Sequence, residues 1–188
     1  MSGPRVREMA LADCDRVAEI RVHGWRTAYR DLMPRSFLDA LSVERDAELR
    51  RALLARHDSG TTDLVAVGAP PGPPGRSGQP GDDGEVLGWA CHGPCRDGEG
   101  TTGGAELYAL YVDVRRHGHG IGYALLTESM RRCAAAGHRR MSLWVVEGNA
   151  RARRFYERAG FRADGAVDSS DVDGVAVPEV RYVRELTG

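Results

Sequence analysis

The sequence predicts a mixed α/β fold in which helices flank a central sheet and the second half runs strand, helix, strand, helix, strand. Three observations predict it. The stretch 105–114, AELYALYVDV, is too continuously apolar for a surface edge and belongs at the centre of a sheet. Helical spacing of apolar residues follows over 122–136 and again over 150–159, and strand patterns at 140–146 and 161–167 complete a βαβαβ run. No internal repeat interrupts the order, and 188 residues suffice for one domain, 1–188, around one core.

Residues 5–9 form a short first strand. Asp13 then caps a helix with Cys14, Val17, Ala18 and Val22 on its apolar stripe, running toward Trp25. A break at 31–34 precedes a second helix, capped by Ser42, whose buried face is Leu49, Leu53 and Leu54. A strand covers 61–67. Residues 69–84, APPGPPGRSGQPGDDG, are dominated by Pro and Gly and are expected to form a flexible hairpin loop with almost nothing to anchor in a core. A strand at 85–92 leads to the central one. Helix 122–136 turns Leu125, Leu126, Met130 and Cys133 inward and stops at Gly137. Near the C-terminus a turn at Asp173 and Gly174 precedes a closing strand at 180–184, and exposed edges there leave room for a homodimer.

Composition excludes several functions. There are 26 Lys plus Arg against 27 Asp plus Glu, a net charge of −1, with no tract basic enough for nucleic acid or an anionic membrane. The expected partner is a small molecule or peptide, with no nucleic acid and no membrane. All 26 cations are arginine. Without lysine there is no GxxxxGK[ST] loop, no pyridoxal-phosphate Schiff base and no amine nucleophile on a side chain. No run approaches the roughly 20 apolar residues of a membrane span, and the charged N-terminus does not look like a signal peptide, so a cytoplasmic location is expected. Cys14, Cys91, Cys95 and Cys133 are scattered and expected to be reduced. Cys91-His92-Gly93-Pro94-Cys95 lacks a second ligand pair, so no metal is expected; no GxSxG elbow speaks for a serine hydrolase.

The most informative segment is Arg115-Arg116-His117-Gly118-His119-Gly120-Ile121-Gly122, between the central strand and a helix. Glycines at alternate positions remove side chains where main-chain N–H groups must approach an anion, and the helix N-terminus adds the positive end of its dipole. Such a loop binds phosphate, although similar loops also serve as plain strand-to-helix turns. A dinucleotide-binding fold would carry a third glycine where Tyr123 stands and would place the loop in its first strand–helix turn.

These residues resemble the GNAT superfamily of N-acetyltransferases, whose [QR]xxGxG loop is matched by Arg115, Gly118 and Gly120. The flanking strand Leu110-Tyr111-Val112 and helix Ala124-Leu125-Leu126 look like that family's usual surroundings. A second block, Asn149 through Ala152 and Tyr156 to Gly160-Phe161, is similar to its N-x-x-A-x-x-x-Y-x-x-x-G-F pattern. The resemblance implies a GNAT-type, mostly antiparallel sheet with a CoA-binding βαβαβ half. It also implies acetyl-CoA as co-substrate, and acetyl transfer to a primary amine of a small molecule or peptide by direct attack in a ternary complex. The alternatives are another acyl donor, a protein N-terminus as acceptor, or a CoA-binding sensor without chemistry.

The same resemblance implies roles. Main-chain N–H groups of His117, Gly118, His119, Gly120, Ile121 and Gly122, with Arg115 alongside, hold the pyrophosphate. The Val112 backbone pairs with pantetheine, and the Leu110 N–H receives the acetyl oxygen. Asn149 and Tyr156 are seven positions apart and face one way from a helix, Asn149 toward the pantetheine arm or serving as the helix N-cap. Tyr156 gives its phenolic proton to the departing thiolate, or packs beside Phe155. An ammonium has no lone pair, so attack needs a base. Strand alternation puts Glu106, Tyr108, Leu110 and Val112 on one face, and Glu106 is the candidate base; its other reading is a solvated carboxylate at a strand start. Trp25, Tyr29, Tyr108 and Trp144 wall the acceptor pocket or belong to the core, and aromatic walls beside Glu106 suit an apolar or cationic amine. His117 and His119, inside the loop, are expected to be surface residues rather than acid or base.

Overall fold

The computed structural model describes residues 3–56, 60–68, 84–96 and 104–186, so the predicted loop at 69–84 lies outside the described residues but for Gly84. Strands β1 (Arg5–Glu8), β2 (Thr62–Val67), β3 (Val86–Pro94), β4 (Ala105–Val112), β5 (Arg140–Val146), β6 (Arg162–Val172) and β7 (Val175–Glu185) form a sheet in the order β1-β2-β3-β4-β5-β7-β6. Every neighbouring pair is antiparallel except β4 and β5. The last strand of the βαβαβ run, β6, therefore lies beyond β7 rather than beside β5.

Helices α1 (Cys14–Ala28) and α3 (Val43–Leu54) cover one face, α4 (Ile121–Ala135) and α5 (Ala150–Arg158) the other. Strand β2 shows why its sequence does not alternate: Leu64 and Ala66 pack with Leu125 and Leu126 of α4, while Val65 and Val67 pack with Val17 and Ile20 of α1. Both faces are dry, so both residue sets are apolar. Among the described residues no helix is long and apolar enough to cross a membrane.

Several local expectations are corrected. Asp13 stands at the N-cap of α1 but gives it no side-chain bond; it ends a 3-10 turn, Leu11–Asp13, where its carboxylate accepts from Ala10 N at 2.7 Å and from both terminal nitrogens of Arg7. A short helix α2 (Arg35–Ala40) follows Pro34, which the pattern treats as part of a break. Ser42 does cap α3, accepting from Arg45 N at 3.2 Å, yet Leu49 and Leu53 are 54% and 41% exposed. The inward face of α3 keeps Leu54 and buries Ala47, and the rest of it is built on ionic residues. Asp46 bridges Arg21 at 2.7 Å and Arg50 at 3.1 Å, and the Arg50 guanidinium lies 3.9 Å from the Trp89 ring centroid. Strands β6 and β7 are far longer than predicted. The outer half of β6, DGAVDSSDV, is largely polar and exposed and shows no apolar period, while in the facing VAVPE of β7 only Val177 is buried.

Strand β4 holds the feature that shapes the site. Cys91 pairs with Ala109 and His92 with Leu107, so Tyr108 is the extra residue of a β-bulge. The bulge resets the alternation. Ala105 and Leu107 pack on the α4 face, and so do Leu110 and Val112, whereas Ala109 and Tyr111 turn toward α1. The expectation that Glu106, Tyr108, Leu110 and Val112 share a face is thereby overturned, because strict alternation cannot cross an inserted residue. On the other edge, β4 pairs with β5 only at Ala105↔Met141 and Glu106↔Ser142. Beyond that vertex the two strands part.

Candidate active site

The glycine loop opens where β4 ends. Asp113 is 4% exposed and organises the turn Val114–Arg116, accepting from Arg115 N at 2.9 Å and from Arg115 Nη2 at 2.8 Å, and also from Arg16 of α1. Hydrogen bonds from Arg115, with those from Arg16, hold its carboxyl well below the usual carboxylate range against the opposing pull of burial. The arginine of the family motif thus folds back on Asp113. Gly118 and Gly120 adopt φ of +84° and +77°, and an added Cβ at either would meet nothing within 4 Å. Such backbone is open to glycine without strain, and the space in front of it is clear. Gly120 is the N-cap of α4 and supplies no side-chain bond, which leaves the first N–H groups of a 15-residue helix directed at that space. Gly122 differs: it lies inside the helix, where an added Cβ would meet Phe155 and Val112 at 3.5 Å.

The two loop histidines act as clasps. His119 Nδ1 donates to the carbonyls of His117 at 3.0 Å and Arg116 at 3.2 Å. His117 Nε2 donates to Val112 O at 3.2 Å, and burial, then Arg151, lower its pKa. The Val112 carbonyl, expected to face pantetheine, is therefore engaged by a ring of the loop itself.

Across the gap between β4 and β5, three elements bring polar side chains together. Asn149 is the N-cap of α5, its Oδ1 accepting from Ala152 N at 3.1 Å, and its side chain also hydrogen-bonds Tyr29 of α1. Tyr29 in turn bonds Tyr111 of β4. Burial raises all three phenols, Tyr29, Tyr111 and Tyr156, above the ordinary tyrosine value. The Tyr156 ring packs edge-on to Phe155 at 5.1 Å and Phe161 at 6.0 Å. Asn149 is thus the helix N-cap and Tyr156 packs beside Phe155, and Tyr111 joins them unforeseen.

The four aromatic candidates divide into two groups. Trp25 and Tyr29 pack together at 5.0 Å with Phe37 5.7 Å from Trp25, on the α1 side of the gap. Tyr108 and Trp144 line a separate cavity of about 360 Å³ with Arg96, Glu106, Leu107, Asp168 and Glu179. Glu106 sits at the vertex of the parting strands and is 1% exposed. One carboxylate oxygen accepts from the Arg96 guanidinium, the other from Arg96 N at 3.0 Å. That guanidinium also stacks 4.4 Å from the Tyr108 centroid. Burial, and after it the Glu106 charge, push the Tyr108 phenol up to about 12. Arg96, Asp168 and Glu179 were not legible as site residues, since they come from a hairpin end and from the polar β6–β7 arm.

Known proteins agree with this architecture. Residues 71–161 match the acetyltransferase (GNAT) family model. Over 176 residues the chain is 30% identical to the uncharacterized N-acetyltransferase YuaI of Bacillus subtilis strain 168, covering 93% of this chain and 89% of that one. The PaiA N-acetyltransferase of Thermoplasma acidophilum in complex with coenzyme A superposes with a TM-score of 0.70 at 18% identity, covering 98% of this chain and 99% of the other. A GNAT superfamily phosphinothricin acetyltransferase of Sinorhizobium meliloti, in complex with AcCoA, gives 0.68 at 20% identity over 98% and 89% of the two chains. Together these define an α/β acyltransferase. The chain belongs to the GNAT acetyltransferase family.

Proposed function

We propose that the protein, acting as one domain, transfers an acetyl group from acetyl-CoA to a primary amine of a small molecule or peptide in a ternary complex. One observation carries the reading: the gap between β4 and β5 runs from the open glycine loop at one end to a carboxylate, Glu106, at its vertex. A long carrier with a diphosphate at one end and a thioester at the other fits such a gap.

When bound, acetyl-CoA supplies an acyl carbon activated by its thiol leaving group. The N–H groups at Gly118, Gly120 and the first turn of α4 hold the diphosphate. Glu106 takes a proton from the acceptor ammonium, and the freed lone pair bonds to the carbonyl carbon. The Leu110 N–H stabilises the oxygen as charge gathers on it. As the carbon–sulfur bond breaks, the nitrogen gives up its second proton to solvent, and Tyr156, kept protonated by its burial, gives its phenolic proton to the thiolate and regains one from solvent. The products are the acetylated amine and free CoA thiol.

Calorimetry with acetyl-CoA, followed by thiol release across a panel of amines, tests the proposal. Tight binding together with amine-dependent thiol release is expected. Binding that no amine converts into thiol release would mark a CoA sensor, and absence of binding would remove the reading altogether.

A further inference from the structure

The proposed base already holds a cation. The guanidinium of Arg96 lies against the Glu106 carboxylate and over the Tyr108 ring at 4.4 Å, the position an acceptor ammonium must take to surrender its proton to Glu106. Stacking on an aromatic face while bonded to a carboxylate is how a protein holds an organic cation. Arg96 reaches the site from the surface, for its side chain is 65% exposed while that of Glu106 is 2% exposed. Its guanidinium can swing into water at little cost when another cation takes its place at the buried carboxylate.

The cavity around it is built for positive charge. Three carboxylates, Glu106, Asp168 and Glu179, line it with one guanidinium and the rings of Tyr108 and Trp144. Asp168 stands directly opposite Glu179 in the β6–β7 pairing. Like charges so placed repel, and a cation between them relieves the repulsion. The two groups of carboxylate lie on different strands, Glu106 on β4 and the facing pair on β6 and β7. A volume of about 360 Å³ holds about a dozen water-sized groups, enough for a short aliphatic chain with a nitrogen at each end.

We propose, resting on the acetyltransferase reading, that the acceptor is a short aliphatic amine bearing a second positive charge, and that Arg96 is the specificity-determining residue it displaces from Glu106. The reacting nitrogen replaces the guanidinium at Glu106 and Tyr108. The second cation is held by Asp168 and Glu179. Amines without that second charge, or carrying a carboxylate, compete poorly with Arg96.

Thiol release is measured with 1,4-diaminobutane, butylamine and 4-aminobutanoate on the wild-type protein, on Arg96→Ala and on Glu179→Gln. The wild type is expected to prefer the diamine by kcat/KM. Arg96→Ala, by removing the competing cation, should lower the KM for diamine about two- to fivefold, and Glu179→Gln should shrink the diamine preference by a similar factor. A wild-type preference for butylamine or 4-aminobutanoate overturns the inference while leaving acetyl transfer standing. So does a rise in diamine KM on Arg96→Ala with acetyl-CoA affinity intact. No thiol release from any amine, despite acetyl-CoA binding, overturns both.

Discussion

The carrier end and the acceptor end of the gap are made of different materials. At the glycine loop the groups presented to the ligand space are main-chain N–H groups, and the side chains, Asp113, Arg115, His117 and His119, bond back into the loop. At the vertex the presented groups are side chains, Glu106, Tyr108, Trp144, Asp168 and Glu179, drawn from four strands. A main-chain cradle depends on backbone conformation and is insensitive to most side-chain substitution. A side-chain pocket depends on each group and can be altered without disturbing the sheet. The two ends should therefore fail in separable ways.

The largest expected effect lies at the vertex. Glu106→Gln keeps an oxygen to accept from Arg96 N, so the hairpin end survives, but it removes the proposed proton acceptor. The turnover rate should fall by about 10²- to 10⁴-fold and its pH profile should flatten, while calorimetry finds acetyl-CoA affinity unchanged. An unaltered pH profile would leave Glu106 as a hairpin clasp, bonded to Arg96 for structure alone.

How far each end was legible in the sequence follows from the same contrast. The cradle needs glycine at fixed spacing before a helix, and Gly118, Gly120 and the Asn149–Tyr156 block announce it. The sheet order around it, down to β5 at 140–146, could be followed because apolar strands and helices carry periods of two and 3.6. The acceptor pocket carries no period. Arg96 is positioned by the β3–β4 hairpin, and Asp168 and Glu179 by the register between β6 and β7, which no residue pattern in DGAVDSSDV announces. The bulge at Tyr108 was equally hidden, since AELYALYVDV contains no glycine to mark one. Pattern also misjudged α3, where Asp46 and Arg50 rather than Leu49 and Leu53 face inward, because ion pairs and a stacked guanidinium took the place of apolar burial.

A substitution at the cradle should sharpen the contrast from the other side. Gly120 sits at φ +77°, where a β-branched residue is strained by roughly 1–3 kcal/mol. Gly120→Val should weaken acetyl-CoA binding by about ten- to a hundredfold in calorimetry and leave the ranking of amines untouched. If affinity for acetyl-CoA holds, the diphosphate is gripped elsewhere and the division between main-chain and side-chain ends is lost.

The smallest effect concerns the brace behind the cradle. Asp113 ties the loop to itself through Arg115 and to α1 through Arg16, both facing it as cations. Its folded-state pKa is depressed below the unfolded value of about 3.9, so the stabilisation is fully present above that pH and is lost as pH falls toward the folded value. Asp113→Asn should cost about 1–2 kcal/mol at neutral pH, seen as a lower midpoint in denaturant. That gap should stay constant from pH 7 to 5 and narrow only below about pH 4, as the wild type begins to lose what the variant never had. A gap that instead narrowed between pH 7 and 5 would mean that the brace is governed by a group titrating higher, with His117, bonded to Val112 O beside the turn, the one to replace next.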